Sequence, residues 1–404
     1  MSLPPGFEAI DFATFHHVTL PSRLERSAGD LFPGGTAHLP SLAFRIEDGS
    51  AFTYLPIAGG IAIAAGDDDA ATVLEIGSDA WCGLVHELEA PAGLVYAGRL
   101  RSVRGAAADL MAWETTLRAL YNGRPPYRPE RIALRDQHGS PLDPSRTFTL
   151  EDDRSTRAHF LRTAGYLFVR DVFGADEVAT LREEALALRG EARPGDKLSW
   201  WGRNGAGDDV PCRVTRGIAK LALGALRSDP RLLGLAALAD EPLRYAKGEG
   251  EGVTVIYKQP EMSAGGLADL PWHRDCGMGG HALICPTLLV SIYLTEATPE
   301  SGELVMLPGS HRTAFNAHDR GVDPAAHAAH FAARPGDVSV HYGDTVHAAP
   351  PPTRNDRAEY RISTVLSFAP VGARHHRGAA SYNDALHQRA DGRIEHLDEV
   401  AKRL

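Results

Sequence analysis

From residue 252 onward the chain is written in short apolar runs parted by Pro and Gly: GVTVIYKQP, PTLLVSIYL, ELVMLP, DVSVHYG and YRISTVLSF. Each is of strand length and rich in β-branched or aromatic residues, and none has the spacing of an amphipathic helix. Short strands at fairly regular intervals, with turn residues between them, predict a β-sandwich or jelly roll. Such a fold restricts where reactive side chains can meet, because residues i and i+2 of a strand project to the same face.

Residues 1–125 follow a different grammar. LAFRIEDGSAFTYLPI reads as two strands around Asp48-Gly49, a hairpin signal, and GIAIAAG and ATVLEIG follow with DDD as a turn. Ser78 or Asp79 is placed to cap a helix whose Trp81, Leu84, Val85 and Leu88 share a face. LVYAGRLRSVRG predicts another strand pair, and Leu110, Trp113, Leu117 and Leu120 mark a second amphipathic helix. This is a small α+β domain. A stretch rich in Pro, Arg and Gly without apolar period, residues 126–150, is the expected linker. Residues 151–404 form the second domain, opening with FLRTAGYLFVRDVF as a strand and a helix capped by Asp176, with Val178, Leu181, Ala185 and Leu188 inward and Gly190 closing it. The predicted fold class is therefore α+β with two domains, the C-terminal one a jelly roll with flanking helices, since 404 residues exceed what one core usually serves.

Charge and composition remove several functions. Forty-two basic against fifty-two acidic residues give a formal charge of −10, and no Lys/Arg run stands out, so no nucleic-acid partner is expected. No apolar stretch reaches the roughly 18–20 residues a bilayer span needs. The opening MSLPPGFEAIDF has neither a basic leader nor an apolar core, and Cys82, Cys212, Cys276 and Cys285 are few and scattered. Both features predict a cytoplasmic protein with reduced thiols. GEGEG at 248–252 follows no strand and opens no helix, which makes it a poor nucleotide loop.

The chemistry concentrates in PWHRDCG. His273 and Asp275 stand two positions apart and can converge on one point if the segment is extended. A second H-x-D, His396 to Asp398, has only six residues after it, too few for a downstream ligand. His273 has one: His347 in GDTVHAAPPPTR. Two imidazoles and a carboxylate on one side of an ion is the facial arrangement of non-haem Fe(II) oxygenases, which leaves the opposite side open. Cys276 and Cys285 lack C-x-x-C spacing and are weaker metal candidates. A 2-oxoacid that chelates iron leaves a distal carboxylate in want of a buried cation. Arg361 opens the strand RISTVLSF with Ser363 on its face, whereas Arg354 and Arg357 fall in a turn. Taken singly, a strand histidine, a turn aspartate and a surface arginine all have ordinary structural explanations; their order within one strand-rich half is what points to a site.

These residues carry a resemblance. The C-terminal half resembles the phytanoyl-CoA dioxygenase family of Fe(II)- and 2-oxoglutarate-dependent oxygenases in LPWHRD, SGELVMLPGSH, GDTVHAAPP followed by Arg361, and the opening GYLFVRDVFGADEV. The resemblance implies iron held by His273, Asp275 and His347, 2-oxoglutarate held by Arg361, Ser363 and Lys258, dioxygen as oxidant, and ascorbate as an aid in vitro. It implies oxygenation rather than halogenation, because Asp275 is present. It departs from the family at Ser291, where some members carry an aromatic, and in a longer stretch before Arg361. Over residues 38–122 the pattern resembles sterol-carrier-protein-2-like domains, with a lid or dimer-forming appendage as the other reading. The expected substrate is a small, hydrophobic organic molecule, met by Trp200, Trp201, Arg203, Trp272 and Met278. The alternative is a lipid- or acyl-binding protein whose oxygenase-like domain is inactive. His341 and His281 read as structural or solvent-facing, the resemblance sets His311 near the site without a direct role, and oligomeric state is not legible.

Overall fold

A computed structural model describes residues 7–26, 35–246, 252–259, 270–276, 287–316, 319, 321–353, 361–370 and 390–404. In the N-terminal region, β1 (Leu42–Arg45), β2 (Ala51–Ile57), β3 (Gly60–Ala65), β4 (Thr72–Ile76) and β5 (Leu100–Arg104) form a sheet of order β3-β2-β1-β4-β5. Only β1 and β4 pair in parallel. The helix Ser78–Val85 starts at Gly77 rather than at a side-chain cap, and Asp79 in its first turn pairs with Arg99 at 3.0 Å. PAGLVY is a helix, Pro91–Tyr96, not the first strand of a pair. Pro91 at its first turn costs nothing there, since that N–H would go unbonded anyway.

The helix Asp109–Asn122 buries Leu110, Trp113, Leu117 and Leu120 against this sheet, as its apolar period predicts. Between helix and sheet lie Trp81, Trp113, Tyr54 and Tyr121, all essentially without solvent contact. The His16 Nδ1–H donates to the Phe12 carbonyl at 2.7 Å, so its Nε2 accepts from Tyr54, whose oxygen is 2.6 Å from Tyr121. The interior expected to cradle a lipid is thus filled with rings, and the sterol-carrier resemblance finds no support.

The C-terminal region is built on β6 (Thr147–Phe148), β7 (Tyr166–Val169), β8 (Ser199–Arg203), β9 (Asp209–Val214), β10 (Leu243–Tyr245), β11 (Thr254–Lys258), β12 (Leu270–His273), β13 (Leu288–Tyr293), β14 (Val305–Met306), β15 (Ala329–His330), β16 (Val338–Tyr342), β17 (His347–Ala349) and β18 (Arg361–Pro370). The larger sheet runs β6-β7-β16-β13-β18-β11-β9-β8, with β10 also on β18; the smaller runs β12-β17-β14-β15. The fold is mixed α+β, and both sheets are open. On the larger sheet, Val255, Tyr257, Leu288, Val290, Ile292, Ile362, Leu366 and Phe368 face a core that also takes Leu181, Ala185 and Leu188 from the helix Ala175–Glu191. Glu177 accepts from the Gly174 N–H at 2.9 Å, so the cap is Gly174 and not Asp176. FLRTA belongs to a helix, Arg154–Ala164, and only YLFV is strand.

The predicted linker is a pinned strap. Pro126 bridges Ala314, and Tyr127 packs with Leu307, Phe315 and Val346. Thr147–Phe148 adds to the larger sheet beside β7. Single anchoring side chains in a Pro-rich stretch have no periodicity, which is why composition reads as a tether. The last residues also cross back: Ala401 and Leu397 join the N-terminal core, the Trp201 N–H donates to the Gly392 carbonyl at 3.0 Å, and the Ser102 N–H to that of Leu404 at 2.9 Å. Among the described residues no helix is long and apolar enough to cross a membrane, and Cys82, Cys212 and Cys276 are buried.

Candidate metal centre

β12 and β17 pair antiparallel with His273 opposite His347. Cross-strand partners have neighbouring side chains on one face, and the two imidazole centroids lie 4.2 Å apart. Asp275 follows β12, where its N–H and that of Cys276 both donate to the Gly343 carbonyl, at 2.9 and 3.1 Å. One ligand atom from each of His273, Asp275 and His347 can be chosen so that all lie within 4.8 Å of one another.

The histidine tautomers fit a metal. The Nδ1–H of His273 donates to the Pro271 carbonyl at 2.7 Å, and that of His347 to the Thr345 carbonyl at 2.9 Å. Each Nε2 is then the lone-pair nitrogen. Those two atoms approach Asp275 Oδ1 and Oδ2 at 3.7 and 3.6 Å. Burial first, and then neighbouring His273, push His347 down to about 3, so it stays a neutral donor. Burial works to raise Asp275, but His347, His273 and His341 outweigh it and hold the carboxyl well below its usual range. Two imidazoles and one carboxylate with converging lone pairs suit a divalent first-row ion.

Sequence reading missed His341. It is buried, and its Nε2 lies 3.2 Å from Asp275 Oδ2 with its ring 4.5 Å from that of His347. Among the described residues its Nδ1 has no hydrogen-bond partner. The signal was available: in β16 Ser339 and His341 alternate with Val338 and Val340, polar residues on one face of a buried strand.

The three residues line a cavity of about 130 Å³ between the two sheets. β11 contributes Thr254, Ile256 and Lys258; β13 contributes Leu289, Ser291 and Tyr293; β18 contributes Arg361, Ser363, Val365 and Ser367. The period of two puts these inward and the core residues outward. Arg361 is buried, paired in register with Lys258, and its Nη1 donates to the Gly302 carbonyl. Lys258 is also buried, its ammonium on the carbonyls of Ala349 and Pro350, just past His347. Gly302 has φ +82°, and a Cβ there would stand 2.9 Å from Lys258 Cδ and from the Pro350 oxygen. An ordinary side chain fits neither the torsion nor the space. Ser291 and Tyr293 both line the cavity, so an aromatic does stand beside Ser363, two residues along from the position where it was sought. Arg354 and Arg357 lie outside the described residues.

The expected substrate residues are placed elsewhere. Trp200 packs with Val210, Cys212 and Ile394, and only its ring face supports the cavity-lining Arg213, whose guanidinium sits 4.5 Å above it. Trp201 is in the main core, its Nε1–H donating to Ser199 at 2.8 Å. Arg203 is exposed beside Asp209 at 3.5 Å. Trp272 alternates with His273, so as His273 turns inward it turns away, onto Tyr127, Leu307, Phe315 and Val346. Met278 lies outside the described residues, as do Cys285 and His281. Cys276 packs on Ala90 and is no ligand of this cluster. At the end away from Arg361 the cavity meets Arg213, Tyr245, Thr254 and Ser367, a wetter lining than expected.

Residues 161–358 match the family described as Phytanoyl-CoA dioxygenase (PhyH). No curated protein matches the chain at a significant level. Solved structures similar to it include the non-heme alpha ketoglutarate dependent epimerase SnoN from nogalamycin biosynthesis, 25% identical over 56% of this chain and 87% of that one, TM-score 0.46. Others are AviO1 from Streptomyces viridochromogenes Tue57, 24% identical over 55% and 96%, TM-score 0.42, and apo EctD from S. alaskensis, 21% identical over 63% and 91%, TM-score 0.46.

Proposed function

With a phytanoyl-CoA dioxygenase domain in its C-terminal half as premise, we propose that this chain is a non-haem Fe(II)- and 2-oxoglutarate-dependent dioxygenase. It oxidises a small organic substrate, most simply by hydroxylation, and releases succinate and carbon dioxide. One observation carries the reading: two imidazoles with Nδ1 tied to backbone carbonyls present Nε2 to Asp275 in the same cavity that buries Arg361.

His273, Asp275 and His347 would hold the iron, which when bound supplies the activation of dioxygen at the expense of 2-oxoglutarate. Arg361 is placed to receive the distal carboxylate in a bidentate grip, with the Ser363 hydroxyl donating beside it. Lys258 adds positive charge at that end and Tyr293 walls it. Ile256, Leu289, Leu304 and Val365 line the remaining wall and keep bulk water from the reacting centre. The Arg213 and Tyr245 end receives the substrate. Aromatic rings fill the N-terminal core, which favours this reading over the lipid-carrier alternative.

The test is incubation with Fe(II), ascorbate and 2-oxoglutarate against lipids, steroids, acyl thioesters and amino acids, following succinate. Substrate-dependent succinate from wild type and none from folded Asp275→Ala is the expected result. Sustained turnover in Asp275→Ala removes that residue from the site, and no stimulation by any metal or 2-oxoglutarate removes the assignment.

A further inference from the structure

The two segments that carry the metal-centre residues are clamped by charges from the other half of the chain. Arg274 stands between His273 and Asp275 and is buried, pointing away from the cavity. Its Nη1 donates to Asp344 Oδ1 at 2.9 Å and to the Asp344 carbonyl, and its Nη2 to the Thr313 carbonyl at 3.0 Å. Asp344 lies three residues before His347 and is itself buried. It receives Arg124 Nη1 at 3.1 Å on Oδ2 and faces Arg118 Nη2 at 3.6 Å on Oδ1. Arg118 sits on the N-terminal helix Asp109–Asn122, and Arg124 just beyond it. Glu87, from the same N-terminal layer, joins both, taking Arg118 Nε and Arg124 Nε at 3.1 Å each.

These charges stand outside the apolar core of the N-terminal layer. Glu87 is a non-glycine residue at φ +52°, and is buried. Backbone in that region is held only where surroundings over-determine it. Cys276, the residue after Asp275, packs on Ala90 of the same layer. Glu114, buried on the helix, accepts from Asn316 at 2.5 Å, and Thr115 donates to Asp319 at 2.7 Å, so the contact continues along one seam.

We infer that the N-terminal layer serves as a buttress of the metal centre, with Arg118, Arg124 and Glu87 as positioning residues that fix Asp344 and, through it, Arg274 and both ligand-bearing segments. The inference rests on the proposed metal site. Buried charges of this kind are costly to separate, and a removed partner leaves an uncompensated ion next to the ligands. Supporting groups around ligands tune affinity without touching the ion.

The test is anaerobic Co(II) titration of the full-length apoprotein, read by calorimetry and by the visible absorption of bound Co(II), with thermal unfolding of each apo variant alongside. Arg118→Met leaves Glu87 and Asp344 each one cation short, so it is paired with Arg118→Met/Glu87→Gln, from which one charge of each sign leaves together. The expected result is a Kd raised by about 10–100-fold and an altered Co(II) spectrum in the double variant, with unfolding near that of wild type. Wild-type affinity and spectrum in the double variant overturn the inference, whatever the single variant does. Absent Co(II) binding in wild type, or unchanged binding in Asp275→Ala, overturns instead the metal site on which it stands.

Discussion

Gly302→Ala isolates the proposed co-substrate end of the cavity from the proposed metal end. At φ +82° an alanine carries the left-handed cost of about 1–2 kcal/mol. Its Cβ also meets Lys258 Cδ and the Pro350 oxygen, both at 2.9 Å, inside any normal contact. Lys258 cannot swing aside freely, because it is buried with its ammonium on two carbonyls, so an overpacking cost of about 1–3 kcal/mol is added. A total of roughly 2–5 kcal/mol should lower the unfolding midpoint by roughly 4–20 °C in a domain of this size. Gly139 supplies the control: its φ is +84° and a Cβ there touches nothing within 4 Å, so Gly139→Ala reports the torsion alone. Because the Gly302 carbonyl receives Arg361, displacement reaches the proposed carboxylate grip. If about 1.4 kcal/mol of it falls on 2-oxoglutarate binding, that KM rises about tenfold. Steady-state kinetics with varied 2-oxoglutarate, and Co(II) titration for the metal end, measure both. A Gly302→Ala protein with the stability of Gly139→Ala and an unchanged 2-oxoglutarate KM would refute the crowding described here.

Three further outcomes follow from the same geometry. His341→Leu removes the group facing Asp275 Oδ2 and should weaken metal binding by about 10–100-fold, measured by titration. Arg361→Lys keeps the charge but loses the planar fork, and should raise the 2-oxoglutarate KM with little change in metal Kd. His16 is pushed down to about 4 by burial, so between about pH 6.5 and 4 the unfolded chain takes up a proton that the native state refuses. Stability of the apoprotein should therefore fall as pH drops through that window, and urea midpoints for folded His16→Gln should show a shallower decline; an identical slope would remove His16 as a cause.

The site was legible wherever strand alternation and order along the chain suffice. His273, Asp275, His347, Arg361 and Ser363 come together because i and i+2 share a face and because β12 and β17 meet in register. His341 escaped because a lone histidine in VSVHYG is read by its neighbours' hydrophobicity, while its place beside Asp275 is set by a partner more than sixty positions away. The Trp200-Trp201 pair misled for a related reason: a ring's chemistry fits a ligand or a core equally, and only tertiary packing decides. In the N-terminal region the helix Asp109–Asn122 was plain from its apolar period, whereas Pro91–Tyr96 is too short for a period to speak. The strap and the returning tail are held by isolated contacts such as Tyr127 and Ala401, which leave no pattern at all.

The pairing of His273 with His347 makes the centre an all-or-nothing construction. A slip of one residue between β12 and β17 would not stretch the arrangement; it would throw one ring to the far side of the sheet and bring Trp272 or Ala348 in its place. Gradual loss of geometry is closed to such a centre, so damage to the ladder should show as a mixture of fully competent and wholly dead molecules rather than as a uniformly weakened population.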